Sequence, residues 1–239
     1  MTVHLRREAD LGRIVLENPP ANTLTRPDFL DAGELQAFLS DPGLRGVIVC
    51  GAGRHFCGGA DIPALRAQAS DPAAFADALS RGKALLQILA DAPVPVVAEI
   101  RGQCLGAGLE IALRCHARIA ADGAMFGFPE STLGVLPGFG GTVADGDRVE
   151  RRVRMDLMLT GRLVGADEAH ALGLVDRVVP GGLVAKAARE HLKTWIDGRS
   201  PALVHGLLEV LNNARRLARD EALRRETEVF LRLAREANP

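Results

Sequence analysis

The chain has 239 residues, 47% of them apolar and 25% charged, with a formal net charge of −1 at neutral pH. That composition can bury a real core, in one large domain or two small ones, and it disfavours nucleic acid as a default partner. No run approaches the roughly 18 uninterrupted apolar residues that a membrane-spanning helix needs, and residues 1–12 lack the apolar stretch of a signal peptide.

In chain order, residues 3–7 and 13–16 read as two short strands joined by a turn at residues 10–12. Pro19 and Pro20 break the chain, and a helix is expected over residues 27–39, with Pro27 in its first turn. Residues 46–50 (GVIVC) form a β-branched apolar run, read as a buried strand. Ser70-Asp71-Pro72 is a helix start, a capping side chain before a first-turn proline, and Phe75, Leu79, Leu85, Leu86 and Leu89 then recur at helical spacing until Pro93 and Pro95 stop them. Another buried strand is expected over residues 94–100, a core helix over 109–115, and short strands over 117–121 and 125–127. Beyond Glu150 the chain reads as mostly helical, with stops at Gly161 and Gly173, a strand over 174–179, and final helices over 182–195 and 201–237. Strands alternating with helices, followed by a helical tail, predict an α/β body with an all-helical C-terminal piece.

Cys50, Cys57, Cys104 and Cys115 form no CxxC pair and no zinc-type spacing, and three of them sit in apolar segments, so reduced buried thiols and a cytoplasmic protein without a metal are expected. The six histidines are scattered. Two arginine clusters, Arg148/151/152/154 and Arg215/216/219/224/225, lie among acidic neighbours and read as solvated or intersubunit helix faces.

Two glycine-rich loops carry the candidate chemistry. GAGRHFCGGAD (residues 51–61) and RGQCLGAGLE (101–110) each follow a buried strand. Glycine lets backbone N–H groups approach a ligand, and two facing loops offer one N–H each to a developing oxyanion. Either loop alone reads equally well as a tight turn. The first has Phe56 where a dinucleotide fingerprint needs its third glycine, and neither holds a P-loop lysine. Glu110 and Glu130 are charged residues in apolar surroundings. Burying a carboxylate is costly and points to partners or function, although a charge at a helix N-terminus explains each singly. No GxSxG or HExxH is present.

Four blocks in order, GRHFCGGADI (53–62), PVPVVAEIRGQCLGAGLEIALRC (93–115), RIAADGAMFGFPESTLGVLPGFGGT (118–142) and LTGRLVGADEAHALGLVDRVVP (159–180), resemble those of the crotonase (enoyl-CoA hydratase/isomerase) superfamily. The resemblance implies a crotonase-like spiral of ββα units over residues 1–180, with a helical C-terminal trimerisation region over 181–239, assembling as a trimer or a dimer of trimers. It places oxyanion-hole donors at the N–H groups of Ala60 and Ala107, the two hydratase glutamates at Glu110 and Glu130, and coenzyme A contacts at Cys57, Gly58, Ala60, Asp61 and Ile62. Gly140 and Gly141 fall on a glycine turn beside the active site. The implied reaction adds water across the α,β double bond of an enoyl-CoA, with coenzyme A as part of the substrate and no separate cofactor. The wording RGQCLGAGLE resembles hydratases of cyclic dienoyl-CoA esters. Isomerase, decarboxylase or hydrolase chemistry on the same fold, and a non-catalytic CoA- or RNA-binding role, are the alternatives.

The sequence departs from the family pattern at several points. Pro63 stands where many members carry a lysine near the CoA phosphates. Ala107 replaces a glycine, His116 a common aspartate, and residues 143–147 the usual basic and apolar helix start. The resemblance also implies a final helix before Pro239 that is short or absent, and an acyl pocket shaped by residues 63–75 and the C-terminal helices.

Overall fold

The structure is a computed structural model describing residues 1–143 and 149–237; the departure at 144–147, Arg148 and Pro239 lie outside the described residues. Strands β1 (Thr2–Glu8) and β2 (Leu11–Glu17) form an antiparallel hairpin whose turn falls at Ala9 and Asp10. Parallel strands then extend the sheet: β3 (Gly46–Gly51), β4 (Val96–Ile100), β6 (Ala117–Ala121) and β9 (Arg177–Val179), in the order β1-β2-β3-β4-β6-β9. A second sheet holds β5 (Gln103–Leu105), β7 (Met125–Gly127) and β8 (Leu163–Gly165).

Alternation along the strands sorts the core into two layers. Val47, Val49, Val96, Ala98, Ile100 and Ala120 belong to the larger cluster, which also takes in residues of α1 (Ala32–Leu39), α3 (Pro72–Ala90) and α4 (Ala107–Arg114). Ile48, Val97, Ile119, Ala121 and Val179 face the other way, onto Val184, Ala188, Leu192 and Ile196 of α7 (Val184–Ile196). Both faces of the parallel strands are covered, which is why these strands read as unbroken apolar runs rather than alternating ones.

The sequence reading holds for seven of the strands, misses β5 and β8, starts β9 three residues early, and differs at three helices. The first helix begins at Ala32, not at residue 27, because the Asp31 side chain accepts from Glu34 N at 2.8 Å and caps it. Residues 62–68 form α2 (Ile62–Gln68), capped by Asp61 through Ala64 N at 2.9 Å. The tail is two helices, α8 (Pro201–Arg216) and α9 (Arg219–Ala237), because Leu217 is extended (ψ 155°). Of the remaining helices, α5 (Arg151–Thr160) ends at Gly161 in the left-handed region, while α6 (Ala166–Ala171) is followed by Gly173 at φ +77°. Among the described residues no helix is long and apolar enough to cross a membrane.

This topology creates the site. β3 and β4 are parallel neighbours, Cys50 facing Glu99, so the loops after them leave the same edge of the sheet. There they are zipped together: Phe56 N donates to Arg101 O at 2.8 Å, Cys57 N to Gln103 O at 3.0 Å and Leu105 N to Cys57 O at 3.0 Å. His55 adds a tie, its Nδ1 accepting from Gln103 N at 3.0 Å, against Gly102 at φ +53°. Below, the buried Glu99 carboxylate pairs with Arg13 at 3.0 Å and with Arg101.

Candidate active site

The paired loops, the start of α4 and the segment 129–139 enclose a cavity of about 510 Å³. Gly58, Ala60, Ile62, Gly106, Ala107, Glu110, Glu130 and Phe139 all line it. Residues 50 positions apart along the chain, Ala60 and Glu110, thus share one wall, and of the residues singled out for coenzyme A, Gly58, Ala60 and Ile62 lie on it as well. Cys57 does not: it is wholly buried beneath the loop, and burial pushes its thiol up to about 12. Asp61 is engaged in capping α2.

The backbone explains what the loop can donate. Leu24 pairs with the first loop as a parallel strand would, Leu24 N donating to Gly59 O and Asp61 N donating back to Leu24 O, each at 2.8 Å. Successive N–H groups of an extended segment alternate sides, so the Ala60 N–H faces away from Leu24. Ala107 is the first residue of α4, where an N–H has no intrahelical acceptor and carries partial positive charge. Among the described residues neither N–H has an acceptor. A Cβ on Gly59 would stand 3.8 Å from Ala107 N, which puts the two loops' backbones side by side. Ala107 sits at ordinary negative φ within the helix, so its Cβ is no obstacle to this arrangement.

Glu110 lies in the first turn of α4 and is 2% exposed. Its Oε1 accepts from Phe139 N at 2.9 Å and Gly141 N at 2.6 Å. Gly140, at φ +95°, makes the turn that aims both donors at one oxygen. Burial raises the Glu110 pKa, while the two N–H groups and the charges of Arg114 and Lys83 oppose the rise.

Glu130 opens the 3-10 turn Pro129–Leu133. Its Oε2 is buried without a hydrogen-bond partner among the described residues. Burial pushes its pKa up to about 7, and the charge of Glu110 adds to the rise. Its Oε1 lies over Gly106, where a Cβ would stand only 2.6 Å away. Gly106 also has φ +49° and ψ −122°, so glycine is required there twice over.

A carboxylate held by N–H donors, an acid poised near neutrality and two unpaired amides converge on one cavity. A scan for families finds the enoyl-CoA hydratase/isomerase model matching residues 6–238.

The chain belongs to the enoyl-CoA hydratase/isomerase family.

Among relatives in this family, it is 35% identical over 222 residues to a carnitinyl-CoA dehydratase of Proteus mirabilis, covering 92% of this chain and 84% of that protein. It is 33% identical over 230 residues to a peroxisomal fatty acid beta-oxidation multifunctional protein of Arabidopsis thaliana, covering 86% of this chain but only 30% of that protein's length. A crystal structure of an enoyl-CoA hydratase from Polaromonas sp. JS666 superposes with a TM-score of 0.90 at 26% identity, over 100% of this chain and 93% of that one. The fold is therefore the crotonase fold of that family.

Several lining residues carry no sequence signal of their own. Phe75 and Leu79 face the cavity from α3, yet their spacing reads as ordinary helix core. Phe139 contributes a backbone N–H, which any residue type supplies. The expectation that the C-terminal helices shape the pocket is corrected within the chain: no described residue of α8 or α9 lines it, and those helices pack chiefly against one another.

Proposed function

We propose that this chain is an enoyl-CoA hydratase. The observation that carries the reading is the unequal pair of carboxyls in one cavity, Glu110 held by two N–H donors and Glu130 with its Oε2 unpartnered and its pKa at about 7.

The thioester carbonyl accepts from the N–H groups of Ala60 and Ala107. Glu110, as carboxylate, takes a proton from water while the water oxygen bonds to Cβ. The displaced π electrons move through Cα onto the thioester oxygen, where the two amides stabilise them; losing one such donor typically costs roughly 2.7–4 kcal/mol of barrier. Glu130, as the acid, then delivers its proton to Cα as the carbonyl reforms. The sum is one water added, and both carboxyls return to their starting states by exchange with solvent. No group beyond the substrate's own coenzyme A is needed.

The experiment is incubation with crotonyl-CoA and longer enoyl esters, following loss of enoyl-thioester absorbance. Turnover that falls at least about 100-fold in both Glu110→Gln and Glu130→Gln supports the reading, in line with the usual size of general acid–base contributions. Proton exchange at Cγ without water addition would replace it with double-bond isomerisation. Binding of coenzyme A without turnover, unaltered by Glu130→Gln, would replace it with a non-catalytic role.

We also read α8 and α9 as a self-association surface, because Leu207, Leu211, Leu223, Phe230 and Leu231 stand exposed along them. Light scattering that finds a trimer or hexamer supports this, and a monomer at micromolar concentration refutes it.

A further inference from the structure

Beyond the two carboxyls the cavity is lined mostly by hydrocarbon. Thr25, Arg26 and Gln68 are the other polar side chains on it among the described residues, and the Gln68 amide nitrogen already donates to Thr25 O and Ala64 O. Leu65 reaches it from α2, Phe75 and Leu79 from α3, and Leu133, Leu136 and Phe139 from the segment after Glu130. Among the described residues, its only charged lining groups are Glu110, Glu130 and Arg26. Arg26 is 63% exposed and is engaged by Asp28 at 3.0 Å, so it adds a rim charge rather than an interior one.

This lining offers a cationic acyl group little. A quaternary ammonium needs an aromatic cage or a spare carboxylate to replace its water. The chain has no tyrosine, and its one tryptophan, Trp195, lies on α7 behind the sheet. Phe75 and Phe139 are the aromatic rings on the wall, and phenylalanine is a weaker cation-binding ring than tryptophan. A cation beside Glu130 would also hold it ionised and remove the acid that the reaction uses.

Resting on the hydratase reading, we propose that the site selects uncharged apolar acyl groups longer than four carbons and rejects acyl groups carrying a fixed positive charge. A four-carbon chain leaves most of this wall facing water. Each further methylene that meets the wall improves kcat/KM about four-fold, the ratio corresponding to about 0.8 kcal/mol per buried methylene.

The test separates charge from shape. An enoyl-CoA ending in a tert-butyl group is compared with its isostere ending in trimethylammonium, with crotonyl-CoA as the short reference. The saturated counterparts of all three are titrated by calorimetry, so that affinity is read without turnover. The neutral bulky ester should exceed crotonyl-CoA at least ten-fold in kcat/KM. It should exceed its cationic isostere at least 100-fold in kcat/KM, and its saturated counterpart should bind at least 100-fold more tightly than the saturated cationic one. Equal affinity for the two isosteres, within three-fold, overturns the proposal.

Should no ester turn over while the saturated neutral compound still binds 100-fold tighter, the hydratase reading falls and the pocket assignment stands. Leu136 is 70% exposed yet lines the cavity, so Leu136→Glu leaves the core intact and should narrow the neutral-to-cation ratio at least ten-fold. An unchanged ratio in that variant would overturn the placing of selectivity on this wall.

Discussion

The two sides of the cavity treat the same chemical group in opposite ways. On the α4 side, Glu110 is almost wholly buried yet receives two backbone N–H bonds and the fields of Arg114 and Lys83. On the Pro129–Leu133 side, Glu130 is less buried but has one oxygen with no donor among the described residues, and it sits in the field of the other carboxylate. Depth of burial alone would make Glu110 the stronger candidate for the neutral form. Donors oppose that order: the Phe139 and Gly141 N–H groups restrain the rise at Glu110, while Glu130, restrained only by its own backbone N–H, is pushed up to about 7. Under the hydratase reading, that difference suits Glu110 to the base role and Glu130 to the acid role.

The largest effect that bears on this comparison is loss of either carboxyl, with turnover falling at least about 100-fold in Glu110→Gln and Glu130→Gln. A variant retaining near-normal rates would break the assignment of base and acid.

The glycines beside each carboxyl sharpen it. Gly106→Ala drives a Cβ to 2.6 Å from Glu130 in a backbone region that L side chains avoid, whereas Gly141→Ala places one 3.0 Å from Glu110. Steady-state rates should fall about 10- to 100-fold in Gly106→Ala, as expected of strain of about 1–3 kcal/mol, and less in Gly141→Ala. The reverse order would mean that Glu110 is the more tightly constrained group.

The loop tie gives a third test. His55→Leu removes the acceptor for Gln103 N and should lower kcat about ten-fold, as loss of a buried hydrogen bond of about 1 kcal/mol or more would do, with KM nearly unchanged. His55→Asn, which keeps an acceptor oxygen, should recover most of the rate; equal losses in both variants would show that His55 only fills space.

The pH profile reads the difference directly. Glu130 must be protonated to act as the acid, so kcat/KM should fall on the alkaline side with an apparent pKa of about 7. Glu110→Gln removes the neighbouring negative charge and should move that limb to lower pH in the residual activity. A limb that stays in place would mean that the two carboxyls do not sense one another.

The smallest expected effect is on stability. The folded pKa of Glu130 lies above the ordinary glutamate value of 4.5, so the native state binds the extra proton and stability declines as pH rises from 4.5 towards 7. Glu130→Gln should therefore raise Tm at pH ~8 by ~2–4 °C, the shift given by about 1 kcal/mol in a chain of this size, with no gain at pH ~5. An equal gain at both values would detach the effect from ionisation.

How much of this was legible in the sequence depends on the range of the force involved. The strands around Val47 and Val97, the start of α3 at Asp71 and Pro72, and the stop at Gly161 were all readable. Each rests on periodicity, capping or a left-handed turn, which act within a few residues. Pro27 and Asp31 compete as starts for the first helix and only the fold favours Asp31, while the break at Leu217 carries neither proline nor glycine. Glu110 and Glu130 stood out as charges in apolar runs, and the ordered blocks joined them to one site.

The sequence by itself determined most of the elements, the glycine positions and the two acidic side chains. Only the tertiary structure decided how differently the two carboxyls are surrounded. The donors that hold Glu110 come from residues 29 and 31 positions away, and desolvation of Glu130 depends on what packs over it. Those quantities belong to the arrangement of the folded chain in space, and no local pattern of residues encodes them.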